Sequence, residues 1–139
     1  EGEVKLNLHQ EYKSEFLVTI KTISKESLLA EADFISLHIP GGQGYVLDSA
    51  EFQQMKNGVG IVNCARGGTI NESALIEAMN SGKVKYVATD VFEKEPPVDD
   101  RILRIDSVGL SPHIGASTEE AQERVGIELA ESIIAYFKK

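Results

Sequence analysis

Three short apolar runs, residues 34–39, 59–65 and 84–92, constrain this chain more than any other feature, because each is strand-length and each is closed by loop-forming residues. The first ends at Pro40 and the Gly41-Gly42-Gln43-Gly44 loop, the second at Arg66-Gly67-Gly68, and the third in the loop 93–100. They read as buried strands. The segments around them read as helices: 25–32, opened by Ser24 and Ser27; 49–55, ended by Asn57-Gly58; and 72–80, capped by Asn71 and closed by Ser81-Gly82. In the last of these Ala74, Leu75, Ala78 and Met79 line one side. Residues 16–20 form an earlier β-prone run, and a short run at 108–110 leads into Pro112-His113-Ile114-Gly115-Ala116. Ser117-Thr118-Glu119-Glu120 then opens a long helix over about 117–137. Its stripe of Ala121, Val125, Leu129, Ile133 and Phe137 is what a core helix would carry. Strands alternating with helices predict a doubly wound, Rossmann-like parallel sheet of the α/β class.

A length of 139 residues with 42% hydrophobic content suffices for one ordinary domain. Acidic residues outnumber basic ones 22 to 14, and no basic cluster occurs except Lys138-Lys139, so nucleic acid and anionic membranes are poor partners. No run approaches the roughly 18–20 apolar residues of a membrane span, and residues 1–10 lack the basic-then-apolar pattern of a secretion signal. The single cysteine, Cys64, cannot close an internal disulfide and has no metal-ligand spacing around it. A reducing, cytoplasmic setting and no metal site are therefore expected. A dinucleotide-binding sheet normally carries a Gly-rich turn near its start, yet G-x-G-x-x-G does not occur. Residues 1–139 are thus expected to be the C-terminal part of a dinucleotide-binding domain, with the Gly-rich fingerprint and a substrate domain outside this chain.

Ligands of parallel α/β sheets gather beyond the carboxyl ends of the strands. Those ends carry His38-Ile39-Pro40, Cys64-Ala65-Arg66-Gly67-Gly68, Asp90 with Glu95 beyond it, and His113. Arginine is a permanently charged planar fork that can grip a carboxylate through two hydrogen bonds, and Gly67 and Gly68 would let a ligand approach the backbone. Histidine is the side chain best suited to proton exchange near neutrality, so His113 suits taking a hydroxyl proton as hydride leaves, or returning it. A neighbouring carboxylate would orient the ring and stabilise its cation. Plainer readings exist for each residue: Arg66 and Glu95 as an ordinary ion pair, Asp90 as a turn cap, His38 as a packed residue, Cys64 as buried packing and His9 as a surface residue.

Four ordered stretches then carry a resemblance. A-D-F-I-S-L-H-I-P at 32–40, M-K-N-G-V-G-I-V-N-C-A-R-G-G-T-I-N-E at 55–72, D-V-F-E-K-E-P at 90–96 and S-P-H-I-G-A-S-T-E-E-A at 111–121 resemble D-2-hydroxyacid dehydrogenases. The N-C-A-R-G-G wording is most similar to the phosphoglycerate dehydrogenase branch of that family. The resemblance implies hydride transfer between NAD and a D-2-hydroxy acid, with 3-phosphoglycerate and serine synthesis favoured. A glyoxylate or hydroxypyruvate reductase, or an NAD-sensing corepressor-like binding protein, is the alternative.

By the same resemblance Arg66 binds the substrate carboxylate and carbonyl, His113 is the acid or base, and Glu95 pairs with His113. Glu93 competes for that last role, but the family places its glutamate directly before a proline, which matches Glu95-Pro96. His38, Pro40, Cys64, Ala65, Arg66, Asp90, His113, Gly115 and Ala116 would line the cofactor, largely through backbone, with Asp90 at the nicotinamide end. A small hydroxy acid is the implied partner, and a homodimer or larger homo-oligomer the implied assembly of a full-length protein. The chain departs from the family in its Gly-rich loop after Pro40, and at Gly60 and Thr69, where larger apolar residues are common. Neither the loop nor these two positions are expected to touch the catalytic groups.

Overall fold

The three apolar runs become adjacent strands of one four-stranded parallel sheet. The structure, a computed structural model, describes residues 3–7 and 17–138, with side chains from Ile20 onward. Its elements are β1 (Glu3–Asn7), β2 (Leu17–Lys21), α1 (Lys25–Glu31), β3 (Phe34–Leu37), α2 (Ser49–Gln54), β4 (Val59–Asn63), α3 (Glu72–Asn80), β5 (Val84–Thr89), a 3₁₀ turn (Ile102–Arg104), β6 (Val108–Leu110) and α4 (Glu119–Phe137). The sheet order is β3-β4-β5-β6, paired in register through Ile35 with Ile61, Ile61 with Val87, and Val87 with Val108. Crossovers that are right-handed and step in one direction place α2 and α3 on the same face. Ile35, Leu37, Ile61 and Val87 point into that face and pack with Leu29 of α1, Phe52 of α2 and Leu75 and Ile76 of α3. Each such side chain contributes about 1.5–3 kcal/mol by leaving water.

Local capping follows the sequence closely. Ser24 Oγ accepts from the Ser27 N–H, Asn71 Oδ1 from the Ala74 N–H, and Thr118 Oγ1 from the Ala121 N–H. Asp48 adds a capping box with Glu51 at the start of α2.

Three expectations need correction, and one strand expectation is met. The strands are shorter than the apolar runs, ending at Leu37, Asn63 and Thr89, and at the last two the side chain itself captures the next backbone groups. Asn63 Oδ1 accepts from the Ala65 N–H, and Thr89 Oγ1 donates to the Val91 carbonyl. The run at 34–39 is not buried throughout: β3 is an edge strand, and Phe34 is 75% exposed. Its ring lies over Gly60, where an added Cβ would come within 2.5 Å of it. The β-prone run at 16–20 lies largely within β2, which pairs antiparallel with β1 outside the parallel sheet. Finally, α4 is not a core helix, since none of its residues is buried and Leu129, Ile133 and Phe137 stand in solvent. The core is closed by α1, α2 and α3, which leaves the stripe of α4 outside it. Among the described residues no helix is long and apolar enough to cross a membrane. His9 and Phe16 lie outside the described residues.

Candidate active site

Parallel strands bring their carboxyl ends to one edge, and the β4 end supplies Arg66. Its turn is held from inside. Asn63 Nδ2 donates to Thr69 Oγ1 at 3.2 Å, and Thr69 Oγ1 donates to the Arg66 carbonyl at 2.7 Å. Asn63 and Thr69 are both buried. Sequence reasoning missed this pair and set Thr69 apart from the catalytic groups, a correction the hydrogen bond to Arg66 requires. The signal available was a polar residue at a position where apolar ones are common.

The glycines after Arg66 also serve differently from expectation. A Cβ on Gly67 would lie 1.8 Å from the Phe92 carbonyl oxygen, so Gly67 makes room for the protein's own backbone instead of a ligand. Gly68 turns the chain at φ 72, a left-handed conformation glycine adopts freely. Gly41, in the loop expected to stay clear of the catalytic groups, instead stands against the stem of Arg66, with a built Cβ 3.1 Å from the Arg66 Cβ. The guanidinium donates through Nη1 to the Ala65 carbonyl at 2.6 Å and enters no ion pair among the described residues. Arg66 is therefore a cation without a carboxylate partner there, not half of a structural ion pair with Glu95.

Glu95 instead faces His113, with Oε2 2.6 Å from the ring Nδ1. Its Oε1 accepts from the Phe92 N–H at 3.1 Å. The bond with His113, followed by that from Phe92, holds the Glu95 carboxyl below the usual carboxylate range. The Glu95-Pro96 peptide is cis. His113 itself has φ 56, a left-handed conformation in a non-glycine residue that costs of order ~1–3 kcal/mol and clusters at functional sites.

Asp90 holds that conformation in place. Oδ1 accepts from Ser111 Oγ at 2.7 Å and the Ile114 N–H at 2.9 Å, while Oδ2 accepts from the Gly115 N–H at 2.8 Å. These bonds, Ser111 first, hold its carboxyl below the ordinary range. Asp90 is buried and turned towards the 111–115 loop, so it acts on the site by holding His113 and Gly115. Ser111 was not singled out from sequence, and nothing short of the folded loop distinguishes it from other serines.

Glu93 lines the same cleft as Arg66, Glu95 and His113, but its carboxylate is engaged with Glu72 and not with His113. Its Oε1 accepts from the Glu72 N–H at 2.8 Å, and Glu72 Oε1 accepts from the Glu93 N–H at 2.7 Å, a reciprocal clasp at the start of α3. Burial, above all, pushes the Glu72 carboxyl up. The Glu93 charge, followed by burial, pushes the Tyr45 phenol up.

Arg66, Glu95 and His113 line one open cleft of about 520 Å³, together with Gly41, Gly67, Phe92 and Glu93. After the carboxyl ends of β3, β4 and β6, His38, Pro40, Cys64, Gly115 and Ala116 are exposed, whereas Ala65 is buried. The exposure of Cys64 corrects the expectation of a buried packing residue; β4 ends one residue earlier, so Cys64 lies beyond the buried strand. His38 Nε2 lies 2.8 Å from Ser36 Oγ. A cation, a histidine and a carboxylate facing one space can bind a carboxylate, polarise an adjacent carbonyl and move a proton to or from its oxygen.

The profile of the D-isomer specific 2-hydroxyacid dehydrogenase, NAD binding domain, matches residues 3–115. A hydroxypyruvate reductase of Thermotoga maritima is 46% identical over 135 residues, covering 94% of this chain and 44% of that protein. A D-3-phosphoglycerate dehydrogenase of Archaeoglobus fulgidus is 44% identical over 120 residues, covering 84% of this chain and 23% of that protein. This chain thus spans less than half the length of either relative. Among solved structures, a glyoxylate reductase from Paecilomyes thermophila superposes with TM-score 0.72 at 40% identity, over 76% of this chain and 33% of that one. A D-lactate dehydrogenase from Aquifex aeolicus, complexed with NAD and lactic acid, gives 0.70 at 30% identity, over 84% and 40%. The residues present, a cation and a histidine–carboxylate pair with exposed residues at the strand ends, fit the nicotinamide end of a dinucleotide. The chain contains no G-x-G-x-x-G cradle for a pyrophosphate.

Proposed function

This chain belongs to the NAD-binding-domain family of the D-isomer-specific 2-hydroxyacid dehydrogenases, and from that premise we propose that it forms the C-terminal part of the nucleotide domain of an oxidoreductase. The reaction interconverts a D-2-hydroxy acid and its 2-oxo acid. The observation that carries this reading is the 2.6 Å pairing of His113 with Glu95 in the same cleft as the unpaired Arg66. A nicotinamide cofactor bound there would supply the redox chemistry, its oxidised form taking hydride from C2 of the hydroxy acid and its reduced form returning hydride to the 2-oxo acid. Arg66 holds the substrate carboxylate and carbonyl oxygen through its planar fork. His113, with Nδ1 occupied by Glu95, takes the hydroxyl proton at Nε2 in oxidation and returns it in reduction. Glu95 orients the ring and stabilises the imidazolium. His38, Pro40, Cys64, Ala65, Gly115 and Ala116 line the cofactor by their place on the strand-end edge.

The N-C-A-R-G-G wording favours 3-phosphoglycerate, within serine synthesis, in a cytoplasmic homo-oligomer. The Thermotoga relative favours hydroxypyruvate as a second reading. Comparing kcat/KM for 3-phosphohydroxypyruvate, hydroxypyruvate and glyoxylate in the complete protein decides the substrate. His113→Ala tests the reading itself: turnover should fall by about 10²–10⁴ while NADH still binds. A loss of only a few-fold would sink the acid–base assignment, and NADH binding without turnover of any 2-oxo acid by the parent would favour a binding protein.

A further inference from the structure

We propose that Thr69 is a positioning residue for Arg66, its hydroxyl fastening the turn that presents the guanidinium; this rests on the reading of Arg66 as the substrate-carboxylate clamp. Thr69 is 1% exposed, so its hydroxyl serves the interior and not solvent. It donates to the Arg66 carbonyl at 2.7 Å and accepts from the Asn63 amide at 3.2 Å. The other end of that amide, Oδ1, accepts from the Ala65 N–H at 3.2 Å. The two side chains therefore grip the backbone on both sides of the Ala65–Arg66 peptide. The Thr69 carbonyl meanwhile accepts from the Val46 and Leu47 N–H groups at 2.7 and 3.2 Å. Those residues follow the loop that carries Gly41, against which the Arg66 stem rests. Thr69 thus joins both walls that set the direction of Arg66.

A side chain needed only to fill this space could be apolar. Replacing the hydroxyl by a methyl group keeps the volume and leaves the Arg66 carbonyl and the Asn63 amide without their partner. A fully satisfied buried network rigidifies its members, and one broken link lets the turn reorient to find other partners. The clamp moves with it, and the loss registers first in recognition of the substrate carboxylate.

The test is steady-state kinetics of the complete protein with NADH and hydroxypyruvate as the probe 2-oxo acid, alongside thermal melting, for Thr69→Val, Thr69→Ser and Arg66→Lys. Thr69→Val should raise KM for the 2-oxo acid about tenfold, more than it lowers kcat, and Thr69→Ser should restore KM to within about twofold of the parent. An unchanged KM in Thr69→Val with a lowered melting temperature would make Thr69 merely structural and overturn the proposal, as would a Thr69→Ser variant no better than Thr69→Val. If Thr69→Val does not fold, Thr69→Ala is read in its place; should both fail to fold while Thr69→Ser folds, the hydroxyl supports the fold and not the clamp. Arg66→Lys separates the two levels. If it raises KM and Thr69→Val does not, only the role of Thr69 fails; if neither raises it, the clamp reading fails as well.

Discussion

Glu95 Oε2 lies 2.6 Å from Nδ1 of His113, which leaves Nε2 as the ring atom able to meet a substrate. The same carboxylate accepts from the Phe92 N–H, and its carboxyl is held below the ordinary range by the His113 contact first. Glu95 is therefore ionised throughout the neutral range and keeps its charge until the pH falls below that lowered value. The pair is a fixed acceptor and a ring whose orientation it sets.

Removing that charge should lower turnover. Glu95→Gln keeps the shape but replaces the charged acceptor facing the His113 ring by a neutral one, so kcat/KM should fall by about one to two orders of magnitude. Glu93→Gln should leave kcat/KM close to that of the parent, because Glu93 is engaged with the Glu72 N–H at the start of α3. Steady-state kinetics of the two variants check this. A fall in Glu93→Gln with a parent-like value in Glu95→Gln would reverse the two roles.

Gly67 and Gly68 should respond to alanine for different reasons. At Gly67 the new Cβ would meet the Phe92 carbonyl oxygen at 1.8 Å, and backbone cannot yield as a side-chain tip can. Overpacking of this kind should cost about 3 kcal/mol or more. At Gly68 no atom lies within 4 Å of the built Cβ, and only the left-handed backbone opposes substitution, at roughly 1–2 kcal/mol. Urea midpoints of the two variants give the comparison, and a milder effect at Gly67 than at Gly68 would contradict the close approach.

Period and punctuation in the sequence were enough to locate the parallel strands and helices and to bring Arg66, Glu95 and His113 to one edge. What escaped was whatever depends on side chains bonding to distant or local backbone. Asn63 and Thr89 end their strands early by capturing neighbouring peptide groups, and an apolar run does not reveal that. Asp90 looks from sequence like a group aimed at a ligand, yet it is bonded to the Ser111 hydroxyl and two loop N–H groups, 21, 24 and 25 residues away. The stripe of α4 has the spacing of a core helix, but spacing records that a face is apolar and not what lies opposite it. Gly60 shows the same limit, since its space is filled by the ring of Phe34 on the neighbouring strand.

Arg66 offers the most direct test of substrate binding, because its guanidinium is bonded only to the Ala65 carbonyl among the described contacts and enters no ion pair among the described residues. Arg66→Lys preserves the charge but replaces a planar fork with a compact ammonium, which cannot hold a carboxylate and the adjacent carbonyl oxygen together. One charge-assisted hydrogen bond is worth roughly 1.5–3 kcal/mol, so kcat/KM for the 2-oxo acid should fall by about one to two orders of magnitude. The loss should appear with 3-phosphohydroxypyruvate and with hydroxypyruvate alike, because both present the same carboxylate and carbonyl to Arg66. NADH affinity, measured by fluorescence titration, should change little, since in the proposed reading the guanidinium holds the substrate and the backbone there holds the cofactor. An unchanged kcat/KM would place the carboxylate clamp outside this chain and leave Arg66 as a residue of its own turn.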